Sequence, residues 1–406
     1  MRRVVVTGLG VVSAIGQSAG DFWTSLRTGT GGIRPVQGDF RGQALRFPTA
    51  AQIVGFDPAC HFDARQTSYL DRFAQLGLVA AREAVRDAGL VLTPDVASNT
   101  VIATGSSLGG KYIEDDGYYQ MYAGGAQRLH PLSVAKAMHN ALTSHIAMEM
   151  RITGPSWTTS TACSSSNHAI GQAFWMLRNG SAECALVGGS EAPFTLGVLR
   201  VWEAMRVLSS DTCRPFSRDR KGLVLGEGAA ILVLEPLERA AARGAPIYAE
   251  LAGFGMSSDA HHLTTPAAAG AARAMRSALI DGGAEASDIG YINAHGTGTA
   301  ANDASETAAI HEVFGPQAAA LAVSSTKSMH GHTLGAAGAL EAVATVLTLR
   351  HGILPPTCNY VSPDPDCDLD YVTSGPREQQ VAAALSSSFA FGGLNAVLLF
   401  KAFNGR

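Results

Sequence analysis

Ser324-Ser325-Thr326-Lys327-Ser328-Met329-His330-Gly331-His332-Thr333-Leu334-Gly335-Ala336-Ala337-Gly338 sets a lysine, two histidines and two glycines just ahead of an apolar run from Ala336 to Leu349. Small residues, a turn rich in reactive side chains and then an apolar run read as a buried strand passing into a buried helix. The same plan occurs earlier in the chain. Ser160-Thr161-Ala162-Cys163-Ser164-Ser165-Ser166-Asn167 leads into the apolar stretch Ala169 to Leu177. Thr161-Ala162-Cys163, His168 and Gly171 align with Thr326-Lys327, His332 and Gly335. Five residues separate Cys163 from His168 and Lys327 from His332, and eight separate each from its glycine.

Two more pairs follow the same order. Arg3-Val4-Val5-Val6-Thr7-Gly8-Leu9-Gly10 matches Tyr248-Ala249-Glu250-Leu251-Ala252-Gly253-Phe254-Gly255. The Gly-rich turn Gly226-Glu227-Gly228 and its strand to Leu234 match Gly392-Gly393 and the strand to Phe400. Three ordered pairs indicate a duplicated supersecondary unit. The strands read as continuous apolar runs, Val4-Val5-Val6 and Ala185-Leu186-Val187 among them. They alternate with helices such as Phe73 to Ala88 and Ala268 to Leu279. This predicts α/β layers with mostly parallel, buried strands. The halves are expected at 1–245 and 246–406, with an inserted cap at about 107–150.

Composition narrows the function. Of 406 residues, 46% are apolar and 16% charged, which excludes a disordered chain. A net charge of −4 argues against a nucleic-acid binder. The six cysteines (60, 163, 184, 213, 358, 367) lack paired spacing, which predicts a reducing cytoplasm and no disulfide framework. The N-terminus faintly mimics a signal peptide, but its valines and glycines suit a first buried strand, and no small-x-small cleavage site follows. No apolar run is long enough for a membrane span.

A lone cysteine in an apolar segment is ordinarily an inert core residue. At a strand-to-helix turn, however, free amides and the helix dipole favour the thiolate, which is the nucleophilic form. Two further segments stand beside Cys163 and the Lys327 turn. They are Asn293-Ala294-His295-Gly296-Thr297-Gly298-Thr299 and Ser388-Phe389-Ala390-Phe391-Gly392-Gly393-Leu394-Asn395.

Together these segments resemble the β-ketoacyl-acyl carrier protein synthases, especially the elongating type II condensing enzymes of the thiolase superfamily. The likeness runs from Arg3 to Phe400. It implies a thiolase-like, duplicated five-layer α/β/α/β/α fold. It implies decarboxylative Claisen condensation of an acyl-enzyme with malonyl carrier protein, lengthening the chain by two carbons. Cys163 would be the acylated nucleophile. The amides of Cys163 and Phe391 would form the oxyanion hole, with Phe391 as gate. His295 and His332 would stabilise the carbanion as neutral donors. Lys327 would keep them neutral, with Glu306 as its acidic partner. Thr297 and Thr299 would bind the pantetheine arm, Leu108 would line the acyl pocket, and Arg65 and Arg206 would dock the carrier protein.

The family implies no cofactor and no metal; the substrates ride on phosphopantetheine. His330 invites a metal reading, but no third ligand accompanies it. His168 sits on the apolar helix and reads as structural. A homodimer is implied, and a heterodimer with a sister subunit stays open.

Some positions depart from the family pattern. Ala390 stands where glycine is usual, Leu394 where threonine is usual, and Ser68 and Tyr69 where basic residues are frequent. Cys163 to Gln172 and Ala390 to Asn395 resemble the nodulation-protein-E branch, which implies specialised, often polyunsaturated chains. Three other readings remain. A non-catalytic partner subunit of a type II polyketide synthase would lack the cysteine. A serine hydrolase would use Gly105-Ser106-Ser107-Leu108-Gly109, a G-x-S-x-G pattern. A biosynthetic thiolase would not need the Lys327-to-His332 segment.

Overall fold

The computed structural model describes residues 1–38 and 40–405. Eleven strands form its main sheet: β1 (Val4–Ser13), β2 (Thr100–Gly105), β3 (Ser156–Thr159), β4 (Cys184–Glu191), β5 (Gly228–Pro236), β6 (Ala249–Ser258), β7 (Ile289–Asn293), β8 (Ala322–Ser324), β9 (Asp370–Tyr371), β10 (Ala383–Ala390) and β11 (Leu394–Ala402). Their spatial order is β9-β8-β7-β10-β11-β6-β1-β5-β4-β2-β3. Read outward from the β1–β6 junction, the two arms repeat: β5, β4, β2, β3 on one side and β11, β10, β7, β8 on the other. At the junction Val4, Val5 and Val6 pair antiparallel with Leu251, Glu250 and Ala249.

The repeat between β1 and β6 has a steric cause. A Cβ on Gly8 or Gly10 would lie 2.3 or 1.9 Å from the carbonyl oxygens of Ala84 and Ala80, in helix α1 (Arg72–Asp87). On Gly253 or Gly255 it would lie 2.4 or 2.1 Å from those of Ala278 and Ala274, in helix α4 (Ala268–Asp281). Each strand therefore lets its helix backbone seat directly on it.

Helices α3 (Ser165–Arg178) and α6 (Ala337–His351) are the middle layer, each touching strands of both arms. Residues 337–349 of α6 are buried all round, as an apolar helix between two sheets must be. Helix α1 covers the outer face of the first arm, while α4 and α5 (Ala300–Phe314) cover that of the second. This is the thiolase-like five-layer fold. The cap expected at about 107–150 contains helix α2 (Lys111–Tyr122) and shorter helices at Ser133–Ala137 and Ala141–Met150.

Two expectations need correction. The sheet is mixed: β1 pairs antiparallel with both neighbours, and so does β11. Burial on both faces, not parallel pairing, made the strands uniformly apolar. The match of Cys163 to Lys327 is also displaced. Ala162 (φ 51°) lies three residues before α3, and Leu334 (φ 49°) lies three before α6. Cys163 therefore corresponds to Gly335. Lys327 belongs to the extra turn, Lys327–His330, inserted ahead of α6. All six cysteines are free.

Candidate active site

Cys163 sits at the mouth of α3, on a backbone bent by the positive φ of Ala162. A non-glycine residue in that region is strained, by about 1–3 kcal/mol. The Ala162 carbonyl is held by the hydroxyls of Ser107 (2.8 Å) and Ser165 (2.6 Å). Those bonds hold the bend and aim Cys163 inward. The bond from Ser107 also commits the hydroxyl on which a serine hydrolase would depend.

A cavity of about 110 Å³ opens on the sulfur. Cys163, His295, His332, Thr297, Thr299 and Phe391 all line it, so residues from four separated segments converge. Cys163 is 6% exposed, and burial pushes its thiol up to about 12. Lys327 and the Phe391 N–H pull in the opposite direction without prevailing. This reverses the expectation of a resting thiolate: desolvation outweighs the helix terminus.

The two imidazoles meet edge to face, with ring centroids 5.4 Å apart. Lys327 Nζ lies 3.3 Å from His295 Nδ1. An ammonium can only donate, so His295 carries its proton on Nε2. The Leu334 N–H donates to His332 Nδ1 at 3.3 Å, which fixes the same tautomer there. Burial first, and Lys327 second, hold both rings well below the usual histidine range. Both are therefore neutral Nε2–H donors. The main chain of His332 is clamped by Val224 O (2.7 Å) and the Gly226 N–H (2.9 Å), which gives the glycine-rich turn before β5 its purpose.

The acidic partner of Lys327 is not Glu306. Lys327 Nζ, fully buried, pairs with Glu341 on α6 and also donates to the His295 carbonyl. Glu306 instead accepts the main-chain N–H groups of His295 and Gly296, each at 2.7 Å. It shapes the loop, holding Gly296 at φ 37°. Sequence reasoning missed Glu341, although it is the lone charged residue between Ala336 and Leu349.

The remaining expected residues scatter. His168 Nδ1 lies 3.1 Å from both the Ser164 carbonyl and Thr161 Oγ1, which ties down the start of α3. His330 faces Gly331 O and Thr326 Oγ1, away from the cavity. Among the described residues no group of three metal-ligating side chains forms. Leu108 does not line the Cys163 cavity. It lines an adjoining groove of about 320 Å³. Trp202, unforeseen, lines both spaces and stacks on the Phe391 ring at 6.1 Å. Arg65 and Arg206 are exposed, and Arg206 directly precedes Val207 on the cavity wall.

Fold and site together define a thiolase-like ketosynthase. Residues 1–240 match the family "Beta-ketoacyl synthase, N-terminal domain", and residues 248–361 match "Beta-ketoacyl synthase, C-terminal domain". Nodulation protein E of Rhizobium sp. (strain N33) is 47% identical over 98% of this chain and 99% of its own. The 3-oxoacyl-[acyl-carrier-protein] synthase 2 of Staphylococcus aureus (strain COL) is 40% identical over 99% of both chains. A solved structure described as the ishigamide ketosynthase/chain length factor superposes with a TM-score of 0.93 at 39% identity, covering 99% of this chain and all of that one. The chain belongs to the β-ketoacyl synthase family and is an acyltransferase. Among the described residues no helix is long and apolar enough to cross a membrane.

Proposed function

We propose that this protein extends a carrier-bound acyl chain by two carbons, using Cys163 as the acylated residue. The observation that carries this reading is the convergence of a buried thiol, two neutral imidazole donors and the Phe391 N–H on one cavity. The Cys163 sulfur attacks the acyl thioester, and the departing carrier thiol takes up the cysteine proton. The Cys163 and Phe391 amides stabilise the oxyanion. The malonyl thioester then binds with its carbonyl oxygen toward His295 and His332. Loss of CO2 leaves an enolate, which the two Nε2–H groups stabilise. Its carbon attacks the acyl-Cys163 carbonyl and expels the cysteine sulfur, which regains a proton.

Lys327 keeps both rings neutral, and Glu341 balances its charge. Thr297 and Thr299 contact the pantetheine arm. Arg65 and Arg206 steer an acidic carrier protein. No metal or redox cofactor takes part in this chemistry.

The chain built is a specialised one. The likeness to nodulation protein E and to the ishigamide ketosynthase favours that pathway class. The protein works as a dimer with a copy of itself or with a sister subunit. Support lies in the free edge of β3 and the exposed apolar side chains Tyr118, Tyr122, Val134 and Met148 on the cap. Mass spectrometry of chains grown from saturated and polyenoyl primers tests the function. Two-carbon growth favouring polyenoyl primers is expected. No growth from any primer refutes the reading, and preference for saturated primers refutes the specialised pathway.

A further inference from the structure

A secondary amide entering a buried site brings one donor and one acceptor, and each needs a partner. The pantetheine arm contains two such amides. This inference rests on the proposed function, which places that arm in the cavity leading to Cys163.

Thr297 and Thr299 can satisfy only half of an amide. Their hydroxyls lie 2.9 Å apart, so one donates to the other. Both oxygens also accept main-chain N–H groups: Thr297 Oγ1 from Thr299 at 3.4 Å, and Thr299 Oγ1 from Asn302 at 3.3 Å. One hydroxyl proton is left over. The pair therefore offers the arm a donor, suited to an amide carbonyl.

The missing acceptor is Asn302. It occupies the first turn of α5, 9% exposed, and lines the same cavity. Its amide orientation is fixed by charge. Nδ2 faces two carboxylates, Asp303 Oδ1 at 3.1 Å and Glu306 Oε2 at 3.4 Å, and a carbonyl oxygen turned toward them would be repelled. Oδ1 consequently points the other way. Among the described residues no donor reaches it.

We propose that Asn302 Oδ1 accepts a hydrogen bond from an amide N–H of the pantetheine arm, while the Thr297–Thr299 pair donates to an amide carbonyl. The contact has a second consequence. Glu306, which binds Asn302 Nδ2, also holds the main chain of His295 and Gly296. An arm seated on Asn302 is thus connected, through the Asn302–Glu306 bond and the bonds Glu306 accepts from the main chain, to the loop that carries a decarboxylation donor.

The test uses malonyl-pantetheine and two analogues, each with one amide N–H replaced by an ester oxygen. Wild type is expected to lose about five- to tenfold in kcat/KM on one analogue, the value of one hydrogen bond. Asn302→Ala is expected to lose a similar factor on the native thioester and nothing more on that analogue. Carbamidomethylation of Cys163 at the usual rate identifies folded variant. Should the variant not fold, the wild-type comparison still decides whether an amide N–H is recognised. Equal turnover of all three substrates by wild type overturns the proposal, as does undiminished discrimination by Asn302→Ala. Absence of any turnover of the native thioester by wild type refutes instead the function on which it rests.

Discussion

Lys327 is tied to His295 twice, through the ring Nδ1 at 3.3 Å and through the main-chain carbonyl. One buried cation thereby sets both the position and the tautomer of a catalytic candidate. It also opposes protonation of His332. Lys327→Met should therefore fail in decarboxylation while Cys163 still accepts an acyl group. Glu341 would be left buried without its counter-charge, at a cost of about 3–5 kcal/mol. The double variant Lys327→Met/Glu341→Leu should recover stability in denaturant titrations but not CO2 release. Recovery of both would show that the lysine is only structural.

The histidines make the pH dependence unusual. In the unfolded chain they would protonate near ~6.5, whereas in the folded protein they stay neutral well below that. As pH falls through about 6.5 the unfolded state takes up more protons, so stability is lost on the acid side and not gained. Burial pushes Glu191, Glu306 and Glu341 up to about 7, so these carboxyls take up protons in the folded protein over the same range and add stability on the acid side. The histidine contribution is therefore read as the difference in denaturation midpoint between wild type and His295→Gln/His332→Gln, which should move in the variant's favour below about pH 6.5. A difference that stays constant across that range would contradict the assigned protonation state.

Removing either Nε2–H donor should cost decarboxylation about 100- to 1,000-fold. His295→Ala and His332→Ala should still show mass addition at Cys163 with an acyl carrier thioester. Loss of that adduct in both variants would place the histidines in acyl transfer.

Trp202 divides the Cys163 cavity from the groove lined by Leu108, and Phe391 stacks on it. Trp202→Ala should join the two spaces and shift products to longer chains, read by mass spectrometry. An unchanged length distribution would exclude the groove as room for the growing chain.

Much of this was legible before any coordinates. The glycine pairs Gly8/Gly10 and Gly253/Gly255 announced the repeat, because both helices need the same clearance. Cys163, His295, His332 and Phe391 were expected at one site because the segments that carry them resemble those of the β-ketoacyl synthases, and all four line one cavity. Strand direction was not legible, since strands buried on both faces are apolar whichever way they pair. The offset between Cys163 and Lys327 escaped because matching intervals to His and Gly do not reveal where a helix begins. The Lys327–Glu341 pair needed three dimensions: Glu306 is nearby in sequence order to His295, yet main-chain N–H groups consume it. The pKa direction of Cys163 turned on burial, which a helix terminus cannot reveal alone.

Cys163→Ala should leave malonyl decarboxylation measurable and abolish acyl-enzyme formation, because the donors for the enolate lie on other segments. Complete retention of condensation by this variant would remove the sulfur from the reaction.

The most direct measurement is a chase followed by intact-mass and peptide mass spectrometry. Wild-type protein is loaded with an acyl carrier thioester and then given malonyl carrier protein. The expected result is an acyl adduct on the peptide containing Cys163. On chase it disappears as one CO2 and one β-ketoacyl chain, two carbons longer, form per adduct. An adduct on any other residue, or release of the acyl group as free acid without chain growth, would contradict condensation at Cys163.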